Sequence, residues 1–144
     1  MSKVVKNLLE VKNKEVCTIE PEASVYDAIA KMSEKQIGAL VVTEGDRVIG
    51  IITERDYARK IILQNRASKS TPVRDIMTKQ VIYVQPEQKI EECMALMTEK
   101  RIRHLPVLSG ERLVGIISIG DVVKEVISEK EFLIEQLTKY ISGS

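Results

Sequence analysis

The sequence predicts an α+β protein of two tandem β-α-β-β-α repeats packed pseudo-symmetrically, followed by a C-terminal helix. Two observations predict this fold class. Placed on itself with a shift of 65 residues, the segment 16–62 aligns with 81–127 without a gap, and 17 of the 47 pairs are identical. Both copies also show the same order of strand-like and helix-like patterns. An ungapped match of this length indicates an internal duplication.

The first two elements of each repeat are a short strand and a helix. VCTIEP and VIYVQP are typical of short strands, and each ends at a proline, Pro21 or Pro86. Apolar residues at helical spacing follow in both copies. Ser24 with Asp27 predicts a capping box for the first of these helices, whereas Lys89 stands at the capping position of the second.

Two further strands and a second helix complete each repeat. The apolar runs ALVVT and HLPVL lead into the turn residues EGDR and SGER, and the strands VIGIIT and LVGIIS follow. Thr53 and Ser118 end these strands and are favourable N-caps. Second helices are therefore expected to begin near Glu54 and Ile119.

The repeats and the segments around them define four predicted regions. In order they are a first repeat, a polar linker, a second repeat, and a C-terminal helix with its tail, at residues 8–65, 66–75, 76–128 and 129–144. The last region carries one apolar stripe, formed by Leu133, Leu137 and Ile141. A unit of about 47 residues buries only a modest core, so the two copies are expected to pack together and to share clefts.

Composition and charge exclude several function classes. Lys and Arg total 22 against 21 for Asp and Glu, and aromatic residues make up 3% of the chain. This balance favours neither a nucleic-acid partner nor a membrane surface, and stacking on single-stranded nucleic acid needs aromatic side chains. No run approaches the roughly 18 apolar residues of a membrane helix, and the first fifteen residues lack a signal-peptide core. A cytoplasmic location is expected.

Catalysis and metal binding are not expected either. One histidine, His104, and two distant cysteines, Cys17 and Cys93, cannot supply a structural zinc set. The sequence points to no arrangement of nucleophile, histidine and carboxylate. Both thiols are expected to be free and buried. We therefore predict no enzyme activity, no catalytic residue and no enzyme cofactor.

One motif, G-x-x-[TS]-x-x-D, occurs in register in both copies. It places a hydroxyl at a strand-to-helix corner (Thr53 or Ser118) and a carboxylate three residues later (Asp56 or Asp121). A helix N-terminus favours a phosphate, and a carboxylate can accept hydrogen bonds from both hydroxyls of a ribose. Helix capping alone explains one copy equally well. Its occurrence in both copies favours a ligand site.

The duplication, with GIITERD in one copy and GIISIGD in the other, resembles a pair of CBS (cystathionine β-synthase-type) domains, the tandem called a Bateman module, of the stand-alone single-pair kind. The resemblance spans roughly residues 8–127. It implies a regulatory sensor that binds an adenosyl ligand (AMP, ADP, ATP, NAD(H) or S-adenosylmethionine) in clefts between the repeats. Occupancy would be transmitted to an unidentified regulated protein or to the geometry of a flat homodimer. The alternative is a structural interaction or dimerisation module whose clefts bind no ligand.

The resemblance also implies ligand contacts just before the second strand of each repeat. Arg103 and His104 stand there in the second copy, and Gly38 and Ala39, preceded by Ile37, stand there in the first. Basic residues at this position contact phosphates in related modules, whereas glycine and alanine offer backbone groups and a small surface to adenine. Two unequal clefts are therefore expected. The cleft with Arg103 and His104 should prefer phosphate, with a pH dependence near 6.5 from the imidazole.

Three further positions are weaker candidates. Thr18 and Tyr83 match each other on the first strands, at the edge where related modules bind adenine. Arg55 begins a basic run that would meet a phosphate or, more simply, form a solvated helix face. The methionines of the first helices are expected to be core residues or, together with the C-terminal stripe, part of a homodimer face; they are Met32, Met94 and Met97.

Overall fold

A computed structural model describes residues 3–12 and 15–142 and shows the mixed helix-and-sheet fold that the sequence predicts. In chain order the elements are α1 (Val5–Lys12), β1 (Thr18–Ile19), α2 (Val25–Lys35), β2 (Ala39–Glu44), β3 (Arg47–Thr53), α3 (Glu54–Tyr57), a π-helical turn (Ala58–Ile62), a 3-10 turn (Val73–Asp75), α4 (Ile90–Lys100), β4 (His104–Ser109), β5 (Arg112–Ser118) and α5 (Ile119–Ile141). Positions 13–14 of the predicted first repeat and 143–144 of the predicted tail lie outside the described residues.

Each repeat is built on an antiparallel hairpin, β2–β3 or β4–β5, and the two hairpins have the same register. Leu40 lies opposite Ile52, and their copies 65 residues on, Leu105 and Ile117, lie opposite each other. All four side chains are fully buried. The helices α2 and α4 begin at the predicted positions, and Ser24 caps α2 by accepting a hydrogen bond from the backbone N–H of Asp27 at 3.0 Å.

The first strand of the second repeat is shorter than the sequence predicts. In the first repeat, β1 pairs in parallel with β2 over two residues. In the second, only Val84 pairs, with Val107. Pro106 stands where the first repeat has Val41 and carries no N–H group. In a β-strand, the N–H and C=O groups of one residue point to the same neighbouring strand. The carbonyl oxygen of Pro106 therefore accepts a hydrogen bond from the N–H of Val84, but Pro106 has no N–H group to donate the next hydrogen bond between the two strands.

The segment that precedes each repeat in the sequence packs into the hydrophobic core of the other repeat. Val5 and Leu8 of α1, which precede the first repeat, lie in the core formed by α4, β4, β5 and α5. Val73, Ile76 and Met77, which precede the first strand of the second repeat, lie in the core of the first. The predicted linker therefore contributes a fully buried side chain, that of Val73.

Two glycines make room for these exchanged segments. A Cβ atom on Gly50 would lie 2.6 Å from Sδ of Met77, and one on Gly115 would lie 2.5 Å from Cδ2 of Leu9. Larger residues at these two positions would push the lead-in segments away from strands β3 and β5. The glycine of the shared motif thus serves the packing of both halves.

The helix α5 differs from the sequence prediction by its continuity. It runs without a break through the position at which a separate C-terminal helix was expected to begin. Val122 is its buried residue, whereas the large apolar side chains of its second half are exposed: Phe132, Leu133, Ile134, Leu137, Tyr140 and Ile141. None of the helices within residues 3–12 and 15–142 combines the length and apolar character needed to cross a membrane.

Candidate ligand-binding cleft

A cleft of about 790 Å³ lies between the two repeats. The first repeat contributes β1 and the residues before β2, the second contributes β5 and the first turn of α5, and α1 closes one side. This volume is within the range of small-molecule sites. The cleft brings together seven of the predicted site residues: Thr18, Ile37, Gly38, Ala39, His104, Ser118 and Asp121.

Ser118 and Asp121 form a reciprocal cap at the N-terminus of α5. The backbone N–H of Asp121 donates to Oγ of Ser118 at 3.2 Å, and the N–H of Ser118 donates to Oδ2 of Asp121 at 2.8 Å. The motif therefore caps the helix, as the capping interpretation predicts. Within the described residues, the hydrogen bonds to this carboxylate all reach Oδ2. Oδ1 accepts none of them.

Lys12, at the end of α1, is the cation beside this carboxylate. Its Nζ donates to Oδ2 of Asp121 at 2.9 Å and to the carbonyl oxygen of Ile116 at 2.9 Å. Burial by itself would raise the pKa of Asp121, but hydrogen bonds from Lys12 and Ser118 more than offset it and hold that pKa below its usual value. Asp121 is therefore ionised at neutral pH.

In the first repeat, the carboxylate of the same motif is buried. Asp56 is 8% exposed, and Oδ2 accepts from the N–H and Oγ1 of Thr53 at 3.0 and 3.1 Å. Its Oδ1 pairs with Nζ of Lys60 at 3.2 Å and accepts from Oγ1 of Thr78 at 3.4 Å. Thr78 is held there by two backbone hydrogen bonds to Ile51, at 2.8 and 3.0 Å. Neither Thr53 nor Asp56 lines the cleft.

The expected separation of Gly38–Ala39 from Arg103–His104 into two clefts is wrong. Gly38, Ala39 and His104 line the same cleft, and a Cβ atom on Gly38 would lie 3.4 Å from Nε2 of His104. Equivalent residues that lie near a pseudo-two-fold axis approach each other, which explains this meeting. Arg103 is exposed and outside the cleft, because successive residues entering a strand point to opposite sides.

Two other predicted residues also lie outside the cleft. Tyr83 is 48% exposed, in the segment whose pairing ends at Pro106. Arg55 donates from Nη1 to the carbonyl oxygen of Arg101 at 3.1 Å, so it bridges the two repeats. This contact supports the simpler of the two interpretations of Arg55, a surface residue.

The pKa of His104 lies below the value near 6.5 that the sequence analysis expects for this imidazole. Burial, and then the nearby Lys12 ammonium, lower the pKa of His104, while the Asp121 carboxylate acts in the opposite direction and Arg103 lowers it further. The imidazole is therefore uncharged at neutral pH. It offers a ligand a neutral donor and acceptor rather than a positive charge.

The cleft also contains charged residues that the sequence reasoning missed. Lys31 and Lys35, four residues apart on α2, join Lys12, and Glu15 adds a carboxylate. Nζ of Lys31 donates to the carbonyl oxygen of Thr18. The spacing of Lys31 and Lys35 could have indicated a basic helix face. Together with the N-terminus of α5, these ammonium groups suit an anionic small molecule.

Comparison with known proteins identifies the fold. The family model of the CBS domain matches residues 6–63 and 73–128. The CBS domain-containing protein CBSX3, mitochondrial, of Arabidopsis thaliana is 48% identical over 132 residues, which cover 88% of this chain and 63% of that protein. The chain therefore spans just under two thirds of the length of this relative.

Two solved structures are similar over most of the chain. A CBS-domain protein of Burkholderia ambifaria is 54% identical, with a TM-score of 0.84, covering 88% of this chain and 95% of that one. The hexameric CBS-CP12 protein from bloom-forming cyanobacteria is 34% identical, with a TM-score of 0.75, covering 85% and 71%. CBS domains are in general regulatory modules that bind adenosyl ligands. By its sequence and its architecture, this chain belongs to the CBS domain family and carries two CBS domains.

Proposed function

We propose that this protein is a non-enzymatic regulatory sensor that binds an adenine nucleotide (AMP, ADP, ATP or NAD(H)) in the cleft at Asp121. One observation carries the proposal: an ionised carboxylate, whose Oδ1 accepts no hydrogen bond from the described residues, lies at the N-terminus of a 23-residue helix. The cleft of about 790 Å³ around it also holds lysines. A ribose supplies two hydroxyl donors for the carboxylate, and phosphates suit the helix N-terminus and the ammonium groups.

The other residues of the cleft have matching roles in this proposal. Adenine would lie against Thr18, Ile37 and Ala39, which line the cleft on the side of the first repeat. Ser118 would add a hydroxyl near the phosphate. Thr53 and Asp56 keep a structural role, since both oxygens of that carboxylate are already engaged. The proposal thus assigns one adenosyl ligand to each chain.

A thermal-shift panel tests this function. AMP, ADP, ATP, NAD(H), S-adenosylmethionine and adenosine are each added to the purified protein, with guanosine monophosphate as the control. A ligand at 100 times its dissociation constant adds about 2.7 kcal/mol to the free energy of unfolding, which gives a clear rise in Tm. The absence of a shift with every adenosyl compound would instead support the alternative, a structural interaction module.

We also propose that two copies associate through α5. The methionines of the first helices offer little surface for this contact, because Met32 and Met97 are buried within their own repeats and Met94 is partly buried. The exposed apolar side chains of α5 provide it: Leu133 is 57% exposed and Leu137 is 50% exposed. A two-fold contact along one helix is self-complementary. Sedimentation is expected to give a dimer at tens of micromolar, and a monomer after Leu133→Glu with Leu137→Glu.

The sensor would signal through this assembly or to an unidentified regulated protein. We propose the cytoplasm as its compartment, because both Cys17 and Cys93 are free thiols and disulfides are rare there. The Arabidopsis relative is named as mitochondrial, which makes the mitochondrion the alternative compartment. Fractionation of cells that express the tagged protein checks this proposal.

A further inference from the structure

Lys12 connects three elements at the edge of the cleft. It ends α1, its ammonium group contacts β5 through the carbonyl oxygen of Ile116, and it pairs with Asp121 in the first turn of α5. The Lys12 and Asp121 side chains are each 26% exposed, so a ligand can reach both partners of the pair.

The first repeat neutralises its carboxylate differently. Asp56 pairs with Lys60, which lies four residues further along the same helical segment. Neither cation is duplicated: 65 residues after Lys60 stands Glu125, and 65 residues after Lys12 stands Met77. The cation at Asp56 therefore belongs to the helix that it stabilises, whereas the cation at Asp121 comes from a separate element at the cleft.

We propose that Lys12 makes the cleft selective for phosphate-bearing ligands by changing partner. This inference rests on the adenine-nucleotide function proposed above. In the free protein Lys12 pairs with Oδ2 of Asp121. In the complex it pairs with the ligand's phosphate, and the two sugar hydroxyls donate to Oδ1 and, in place of Lys12, to Oδ2. A nucleoside without phosphate breaks the same ion pair and offers Lys12 no anion in return. Such a nucleoside is therefore bound weakly.

The other cations of the cleft do not share this position. Nζ of Lys31 donates to the carbonyl oxygen of Thr18, and Lys35 lines the cleft without a hydrogen bond to Asp121. His104 is uncharged at neutral pH because burial lowers its pKa. Within the described residues, Lys12 is thus the cation that a ligand meets at the carboxylate.

Calorimetry with AMP and adenosine tests the exchange in the wild type and in Lys12→Met, which removes the ammonium group and keeps an unbranched side chain. The variant is expected to bind AMP about tenfold more weakly and adenosine several-fold more tightly, so that the preference for AMP collapses. Lys6→Met is the matched control, because Lys6 is an exposed residue of the same helix and lies outside the cleft; it is expected to leave both affinities unchanged. Lys12→Arg is expected to keep the preference.

A second measurement does not depend on any ligand. In the free protein, NMR titration is expected to show a higher pKa of Asp121 in Lys12→Met than in the wild type, while thermal unfolding confirms that the variant is folded. An unchanged pKa of Asp121 would overturn the ion pair on which the exchange depends.

The outcomes separate this inference from the proposed function. An AMP-to-adenosine preference that is equal in Lys12→Met and the wild type overturns the exchange and leaves the nucleotide function standing. Binding of S-adenosylmethionine without binding of AMP also overturns it, because that ligand carries no phosphate. A wild type that binds no adenosyl compound overturns both.

Discussion

The two copies of the G-x-x-[TS]-x-x-D motif have the same capping geometry and different surroundings. In both, the hydroxyl accepts from the backbone three residues on and the carboxylate accepts from the backbone of the capping residue. In the first repeat, Thr78 and Lys60 engage the remaining oxygen of Asp56. In the second, Asp121 borders an open cleft, and its Oδ1 accepts no hydrogen bond from the residues that the structure describes.

This difference teaches that a repeated motif specifies a local structure and not a function. The cap depends on residues three positions apart, so both copies retain it. Access to the carboxylate depends on residues that the duplication does not repeat, namely Lys60, Thr78 and Lys12. The carboxylate of the first copy is buried within its own repeat, whereas that of the second borders the cleft.

The largest expected effect concerns the exchanged lead-in segments. Leu8→Ala and Ile76→Ala each remove a buried side chain and are expected to lower the free energy of unfolding by about 2–5 kcal/mol. Hydrogen exchange of backbone amides should become faster in the repeat whose core the mutated residue enters. Leu8→Ala should affect the β4–β5 hairpin, and Ile76→Ala should affect the β2–β3 hairpin. Faster exchange confined to the repeat that follows each mutated segment would contradict the exchanged packing.

A pair of alanine substitutions compares the two carboxylates directly. Sequence reasoning predicts that Asp56→Ala and Asp121→Ala both weaken ligand binding, but the structure separates them. Asp56→Ala leaves buried partners unsatisfied and is expected to cost about 1–3 kcal/mol of stability while changing ligand affinity little. Asp121→Ala is expected to weaken nucleotide binding more than tenfold. Chemical denaturation and calorimetry measure the two effects, and equal losses of affinity would refute the distinction.

The pH dependence of stability sharpens the comparison at position 104, where the first repeat has Ala39. His104 titrates near 6.5 in the unfolded chain and lower in the folded protein. Between these values the unfolded chain holds more protons, so stability is full above 6.5 and declines as the pH falls below it, by at most about 1.4 kcal/mol per pH unit. Urea titrations from pH 7.5 to 5 should show this slope in the wild type and lose it in His104→Ala. A slope that survives this substitution would assign it to another group.

The smallest expected effect concerns the two thiols. Burial, with added effects of Glu92 and Glu91, raises the pKa of Cys93 to about 11, whereas Cys17 lines the cleft and is half-buried. Iodoacetamide is therefore expected to modify Cys17 in the folded protein and Cys93 only after unfolding. Mass spectrometry of the digested protein separates the two sites. Saturating nucleotide should slow the reaction at Cys17, and equal modification of both thiols would place Cys93 nearer the surface than described.

The elements that follow from local pattern were predictable, and those that depend on distant residues were not. The hairpins and the starts of α3 and α5 were found because strand periodicity and capping residues lie within a few positions of each other. The shortened first strand of the second repeat also has a signal in the sequence, because Pro106 has no N–H group. That signal lies in β4, however, whereas the strand that it shortens is the segment around Val84. The exchange of Leu8 and Ile76 between cores has no signal in the alignment, which begins only at residue 16.

The candidate site was predictable only in part. Asp121, Ser118 and His104 were found from the motif and the family resemblance, and they do meet in one cleft. Arg103 lies outside this cleft, and the sequence does not say which of two adjacent residues points inward. Lys12 was missed because it lies 109 residues from its partner.

The unbroken α5 has a mechanical consequence. Its first turn holds Ser118 and Asp121 in the cleft, and its last residue, Ile141, lies roughly 34 Å away at 1.5 Å per residue. A helix of that length acts as a lever. A tilt of about 10° at the ligand would sweep the far end through roughly 6 Å, which exceeds one helical turn. The apolar end of α5 is therefore the part of the helix that such a tilt would displace furthest.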